Sequence, residues 1–410
     1  MAKEFSPFTP GVPVPLEFFV GRAEEIQRII NSARKAVALK TLERLFVLGE
    51  RGIGKSSICK FALSVIERDV KLLGLHVFLG GVHTLEEMVR RIFERLLRES
   101  IDKPWYEKTK EFLGNHIRQL DIFGLTVEFS ASDRELSRAV SDFVPALKNL
   151  LTKLVSEKQG ILLILDDLNV LAGSEQFANW LKSFVDEMAT KPNPVPVVLV
   201  LVGLPERRQQ LIAKQPSLDR VFDLIEIRSF SASETTEFYQ RAFKKANVAI
   251  TEEALRILER LSGGFPVFVH ELGDAVFQVD EDNRIDDADI FPGILRGADL
   301  IGRKYIEPTV LAAIRSEKYR DILRKIAQRP FEHRFSRKEV AARLSATEAR
   351  MFDNFLRRME KLGALRKDKE RGPGSYEFAS ELYYFFFWLQ TQSPPPKSGV
   401  AASAAPAKRT

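Results

Sequence analysis

Gly49, Gly54, Lys55 and Ser56 stand at the spacing G-x-x-x-x-G-K-S, within the stretch Leu45-Phe-Val-Leu-Gly-Glu-Arg-Gly-Ile-Gly-Lys-Ser-Ser57. These residue types at this spacing suit the cradling of a polyphosphate. Glycine lets the backbone curl until successive N–H groups face an anion. A helix opening directly after the loop adds the partial positive charge of its N-terminus. On this reading Glu50, Arg51, Gly52, Ile53 and Ser57 lend the rest of the cradle. Lys55 reaches the β- and γ-phosphates, and the Ser56 hydroxyl ligates Mg²⁺. The context fits: Leu45 to Leu48 reads as a buried strand, and Ile58, Phe61, Ala62 and Val65 follow at helical spacing. The expected ligand is a nucleoside triphosphate, ATP with Mg²⁺.

The second chemical feature is Ile161-Leu-Leu-Ile-Leu-Asp-Asp167, an apolar run ending in two carboxylates. A capped turn has the same appearance in isolation. Behind a phosphate loop the run reads as a buried parallel strand, and ligands collect at the C-terminal ends of such strands. Asp166 then lies beside Ser56 and holds Mg²⁺, directly or through water, while Asp167 orients the attacking water.

Elements must position these groups. Pro7, Pro10, Pro13 and Pro15 make residues 1–18 an extended arm. A helix is expected over 24–40, a strand over 73–79 and a helix over 84–99. Residues 117–129 alternate around Gly124 as a hairpin, and a continuous helix is expected over 133–157. Strands at 195–202 and 222–227 complete a five-stranded, mostly parallel sheet covered on both faces. From Ser231 a capping box opens an all-helical stretch (231–246, 251–261, then Gly263-Gly-Phe-Pro266 and 267–277). The acidic segment 280–289 reads as a linker or turn. Helices at 319–328, 336–344 and 347–362, with a second capping box at Ser345 and Glu348, precede strands at 364–368 and 376–379. Three helices and a hairpin form a winged-helix pattern. The expected domains are the arm 1–18, an α/β core 19–229, a helical lid 230–300, a winged helix 301–392 and a disordered Pro/Ala/Ser tail 393–410.

Composition sets outer bounds. The chain has 410 residues, 45% hydrophobic and 29% charged, with no apolar run long enough to span a membrane. The single cysteine, Cys59, cannot pair internally, and the N-terminus lacks secretory features, so a cytoplasmic setting is expected. Net charge is +6, but residues 301–371 hold 20 Lys/Arg against 10 Asp/Glu, so the rest of the chain carries −4. That basic segment suits nucleic acid, though solvated basic helices share the composition.

In order, these features resemble the P-loop ATPases that include AAA+ origin-recognition proteins and STAND-type NTPases, nearest to the prokaryotic "archaeal ATPase"-like branch. The resemblance runs from residue 7 to about 390, with Walker A at Gly49–Ser57 and Walker B at Ile161–Asp167. It implies an adenine pocket at Phe19, Val20 and Gly21, from the Phe19-Val-Gly-Arg22 box. It also implies that Pro266, in a turn similar to the GxP turn of STAND proteins, packs near nucleotide. Arg220, before the last strand, resembles an arginine finger acting on a neighbouring subunit, with Arg207 and Arg208 as weaker candidates. Three sensing positions depart from the family pattern: Val267 replaces an arginine, Val202-Gly203 replaces a polar residue, and Phe378-Ala379-Ser380 replaces a histidine. Nucleotide binding with slow turnover is the expectation.

Two functions follow. One is a nucleotide-controlled ATPase that oligomerises with itself and binds double-stranded DNA through Arg350, Arg357, Arg358 and Lys361 of the third helix and Arg366, Lys367, Lys369 and Arg371 of the wing. The other is a STAND-type signalling ATPase whose winged helix is autoinhibitory and whose partner is a protein. A metabolic kinase, the third user of such a loop, has no place for a winged helix.

Overall fold

The computed structural model describes residues 5–11, 20–116, 120–123, 126–129, 132–190, 195–328 and 332–392. They fall into two compact units. The first holds Gly11–Glu234 with Phe265–Val267; the second holds Met1–Pro10, Thr235–Gly264 and the chain from Phe268 onward.

In the first unit the strands are β1 (Leu42–Leu48), β2 (Leu72–Phe78), the pair β3 (Leu120–Phe123) and β4 (Thr126–Phe129), β5 (Gly160–Asp166), β6 (Val197–Gly203) and β7 (Asp223–Glu226). Five of them form one parallel sheet in the order β2-β5-β6-β1-β7. β5 and β6 are buried along their whole length, as their unbroken apolar sequences require of central parallel strands. The sheet's even face on β2 and β5 (Leu72, Leu162, Ile164) meets helices Ala23–Leu39 and Lys55–Asp69 through Ile29, Ala33, Ile58, Cys59 and Ala62. The odd face (Leu73, Leu75, Leu163, Leu165) meets helices Leu85–Ser100, Phe143–Lys153 and Glu175–Thr190 through Val89, Phe93, Leu147 and Phe177. The expected strands of this sheet agree with the observed ones to within three residues, the largest difference being the start of β1 at Leu42 rather than Leu45. The hairpin expected around Gly124 is the antiparallel pair β3–β4.

The helix expected over 133–157 is two helices, Asp133–Ser141 and Phe143–Lys153, parted at Asp142 (φ −96°, ψ 16°). Pro145 supplies the reason: it has no N–H to donate to Ser141 O, and its ring crowds that carbonyl. Helices Tyr106–His116 and Glu175–Thr190 had no counterpart among the expected elements.

The second unit begins with the arm. Phe8 is buried among Phe238, Tyr239, Phe243 and His270. Thr9 N donates to His270 Nδ1 at 3.0 Å. Gly273 leaves the space for this plug, since a Cβ there would lie 2.2 Å from the Phe8 ring. The helices of this region are Ala232–Lys245, Glu252–Ser262 and Pro266–Val279. The segment expected as an acidic linker or turn bends at 281–283 and then carries regular structure. β8 (Ala249–Ile250) pairs in parallel with β9 (Arg284–Ile285), and Asp286 and Asp289 make a capping box for helix Asp287–Ile301.

Beyond a π-helical run, Gly302–Leu311, the order is helix Glu317–Ala327, β10 (Arg334–Ser336), helices Arg337–Ala341 and Ala346–Lys361, β11 (Leu365–Lys367) and β12 (Ser375–Phe378). The three strands form an antiparallel sheet in the order β10-β12-β11. Ser345 and Glu348 form the expected capping box. β10, only three residues long, carries too few positions to show a period of two. Phe386 and Phe387 of the closing helix Glu381–Gln392 are core residues. The tail 393–410 and Phe19 lie outside the described residues.

Candidate nucleotide site

The site is assembled at the C-terminal ends of β1 and β5. After Leu48 the chain turns through Gly49 to Gly54, with φ +82° at Gly52 and +96° at Gly54, values that favour glycine. Gly49 is held by proximity instead: a Cβ there would sit 2.8 Å from Ile227 O and from Ile53 Cγ2. Helix Lys55–Asp69 opens directly behind the loop, with Lys55, Ser56 and Ser57 half-buried in its first turn. Lys55 Nζ donates to the carbonyls of Gly49 (2.9 Å) and Glu50 (2.7 Å). Burial lowers the pKa of its ammonium, while Asp166 and Asp167 pull it back up. One lysine and two carboxylates from opposite sides of 110 residues are therefore electrostatic neighbours. Glu50 and Arg51 are exposed on the loop.

Asp166 ends β5 and is buried. Asp167 follows with φ +64°, a left-handed turn that aspartate tolerates better than most residues, and its Oδ1 accepts from Asn169 Nδ2. A Cβ on Gly80 would meet Asp167 Oδ2 at 2.7 Å, so the loop after β2 lies against this carboxylate. Cys59, one turn into the loop's helix, is fully buried, and desolvation raises its thiol pKa well above the usual value. It is a packing residue.

The box before the first helix folds against the start of the helical stretch. Val20 is buried, and Gly21 (φ +68°) leaves room for the Glu234 carboxylate, which would lie 2.1 Å from a Cβ. Glu234 and Ser231 make the expected capping interactions, Ser231 N donating to Glu234 Oε2 at 2.7 Å and Glu234 N to Ser231 Oγ at 3.2 Å. Arg22, buried and left-handed (φ +63°), donates to Arg228 O and lies 4.9 Å over the Phe230 ring. The Gly263-Gly-Phe-Pro266 turn uses two left-handed glycines (φ +57° and +67°). It delivers Phe265 and Val267 to the loop, with Val267 Cγ1 3.0 Å from the ideal Cβ position of Gly52. Pro266 sits between them as the first residue of its helix.

Other sequence-predicted residues stand apart. Arg220 is exposed at the end of the turn Pro216–Arg220, before β7. Arg208 is bound to Asp219 Oδ1, and Arg207 to Gln210 Oε1 at 2.9 Å. A separate cavity of about 580 Å³ lies in the second unit, lined in part by Arg303, Arg320, Arg324 and Phe387. Each of its arginines carries an acidic partner (Asp299, Glu317 and Asp321), and it contains none of the predicted site residues.

One residue escaped the sequence reading. His76 of β2 is buried, and its Nε2 lies 2.8 Å from Asp166 Oδ2. The available signal was a lone polar residue in the apolar strand Leu72–Phe78, at the parity of Leu72. Sequence alone does not say which strand lies beside β2.

Residues 19–200 match the AAA ATPase domain family. They form a P-loop ATPase domain of the AAA group. No curated protein matches the sequence. Among solved structures, a Walker-type ATPase of Pyrococcus abyssi is 18% identical with a TM-score of 0.56, over 90% of this chain and 96% of that one. The ORC2 protein of Aeropyrum pernix, in ADPNP–ADP complexes, is 12% identical with a TM-score of 0.57, over 92% and 98%. Its ADP form is 13% identical with a TM-score of 0.52, over 94% and 98%. At these identities the likeness is one of fold, and it extends along almost the whole chain beyond the AAA domain.

The donor set of this AAA domain fits Mg²⁺. That ion takes one or two carboxylates, a hydroxyl and phosphate oxygens, and keeps several waters. Ser56 and Asp166 are donors of this kind. The described residues hold no cluster of three or more His, Cys, Asp or Glu of the kind a transition metal needs.

Proposed function

We propose that this AAA domain binds ATP with Mg²⁺ and acts as a slowly hydrolysing switch that oligomerises and engages double-stranded DNA. The observation that carries the nucleotide half is the placing of half-buried Lys55, held on the phosphate-loop carbonyls, within electrostatic reach of buried Asp166 and of Asp167. Holding a desolvated ammonium beside a buried carboxylate is costly unless a ligand uses them. In this reading Gly49 to Ser57 cradle the phosphates, and Ser56 and Asp166 hold Mg²⁺, which neutralises phosphate charge. Asp167 orients water, Val20 and Gly21 line the base pocket, and Arg220 of a neighbouring copy supplies the finger. Val267 places an apolar group where related lids carry a cation, which supports slow turnover.

The DNA half rests on the second unit. Its helix–strand–helix–helix–strand–strand order supports a winged-helix reading. On helix Ala346–Lys361, Arg350 and Arg357 are exposed and donate to neutral oxygens (Ala346 O and Asn354 Oδ1), and Lys361 is exposed beside them. Such residues are free to meet phosphates.

The test is ATP hydrolysis and nucleotide binding with and without duplex DNA, beside a Lys55→Ala control. Hydrolysis no faster than the control in every condition would reduce the protein to a binding switch. The triple variant R350E/R357E/K361E should weaken duplex binding and lower its salt slope by about 3, near one unit per lost phosphate contact. Unchanged binding defeats the DNA reading. Nucleotide-dependent assembly without duplex affinity would then favour the signalling alternative with a protein partner.

A further inference from the structure

The Walker B carboxylate in this chain has a companion that no motif assigns. In parallel register Phe78 of β2 faces Asp166 of β5, and His76 faces Ile164. Side chains two residues apart share a face, so His76, Phe78 and Asp166 all lie on the side of the sheet covered by the loop's helix. His76 Nε2 and Asp166 Oδ2 are 2.8 Å apart, with side chains 7% and 5% exposed. A carboxylate oxygen only accepts, so the imidazole is the donor. Its plane is fixed by stacking on Phe78, with centroids 4.6 Å apart and an interplanar angle of 24°.

Consider Asp166 without this partner. It would be a carboxylate at the end of an apolar strand, free to rotate about its last bond and to fold toward the Lys55 ammonium, which its field already reaches. The imidazole removes that freedom. It occupies Oδ2, satisfies a buried acceptor that would otherwise go unpaired, and leaves the second oxygen as the free one. Groups that hold a metal ligand in place are worth about 10- to 100-fold in metal affinity.

We propose that His76 is the positioning residue of the Mg²⁺ site: its Nε2–H pins Asp166 Oδ2 so that the other carboxylate oxygen is presented toward the Ser56 side of the phosphate loop. The inference rests on the Mg²⁺–nucleotide reading given above. His76 does not itself touch nucleotide or metal in this arrangement. Its effect passes entirely through Asp166.

Equilibrium binding of a fluorescent ADP analogue, measured in EDTA and across a Mg²⁺ titration, tests it. Three variants are compared. His76→Gln carries an amide nitrogen to about the position of Nε2; His76→Asn is equally polar but ends one bond short; His76→Leu removes the donor. The Mg²⁺ midpoint should rise about 10-fold in His76→Asn and His76→Leu and stay within about 3-fold of wild type in His76→Gln, with affinity in EDTA equal in all. In an Asp166→Asn background, His76→Asn should shift the midpoint no further. A purely packing role predicts the opposite ranking, with Leu tolerated and Gln not. Wild-type Mg²⁺ midpoints in His76→Asn, or full additivity with Asp166→Asn, would overturn the proposal while leaving the nucleotide site intact. A wild type whose nucleotide affinity ignores Mg²⁺ would remove the underlying reading and the proposal with it. Circular dichroism of each variant separates a folded protein with a shifted midpoint from an unfolded one.

Discussion

The phosphate-loop end of the sheet and the basic C-terminal segment both concentrate charge, but they hold it in opposite ways. At the loop, Lys55, Asp166 and Asp167 are drawn together from distant parts of the chain, burial penalises the Lys55 ammonium, and Lys55 donates to loop carbonyls rather than to either carboxylate. In the C-terminal segment several cations are instead held by exposed or nearby acidic partners. Arg337 meets Asp353 in a two-toothed pair (2.7 and 2.9 Å), Arg366 meets Glu377 at 2.7 Å, and Arg334 bridges Glu370 and Glu377. Lys325 holds Glu348 and takes its carboxyl down to about 2. The lesson concerns counting. The count of twenty Lys/Arg over residues 301–371 overstates how many cations are free for a polyanion, because Arg334, Arg337, Arg366 and Arg371 already have acidic neighbours. The loop gathers fewer charges, but it brings them together from distant strands, with Asp166 buried and Lys55 and Asp167 half-buried.

Breaking the loop charge should give the largest effect. Lys55→Ala is expected to lower nucleotide affinity about 1,000-fold, some 4 kcal/mol, as removal of a desolvated phosphate partner does. Its thermal midpoint should not fall, since burial already disfavours the ammonium. A midpoint well below wild type would show that Lys55 serves the fold, and the contrast between the regions would fail.

The second unit has its own buried titratable group, and it behaves like the loop charges rather than the paired arginines. Burial lowers the His270 pKa to about 4, against an ordinary value near 6.5. The folded state therefore resists a proton that the unfolded state accepts. Stability is full above about pH 6.5 and falls as the pH drops toward 4, by about 3 kcal/mol across that window. Urea unfolding at stepped pH measures it, and His270→Asn, whose Oδ1 takes about the position of Nδ1 as the acceptor for Thr9 N–H, should flatten that part of the profile. An unchanged profile in the variant would rule His270 out as the source.

A smaller loss, about 2 kcal/mol, is expected for Gly273→Ala, because the new methyl collides with a Phe8 ring clasped on every side. Chemical denaturation reads it directly; stability within 0.5 kcal/mol of wild type would mean the arm is not anchored there. Smallest of all, Arg366→Ala and Arg371→Ala should alter duplex affinity less than about 3-fold, because their guanidinium groups lie on Glu377 and Asp368. Arg357→Ala should exceed both, and a reversed ranking would restore the wing as the main basic contact.

Legibility followed sequence separation. The loop and its helix, β5 with its two aspartates, and the capping boxes at Ser231 and Ser345 are local patterns whose physics is complete within about a dozen residues. Helix Asp133–Ser141 was read too long because apolar periodicity continues across Pro145, where backbone sterics do not. Helix Tyr106–His116 was passed over beside the more conspicuous alternation around Gly124. The binding of Arg366 by Glu377 was invisible because it depends on the register of β11 on β12, set by a turn rather than by composition.

By itself, the sequence determined that a phosphate loop stands between a strand and a helix, that an acidic pair ends a buried strand, and that the last third is basic. Glycine conformations, helix-end dipoles and apolar periodicity are properties of short segments and survive without a partner. Only the tertiary structure decided that β2 lies beside β5, and hence that His76 meets Asp166. It also brought Val267 to Gly52 and sealed Phe8 beneath Gly273. Those facts come from strand order and close packing, which depend on residues tens to hundreds of positions apart.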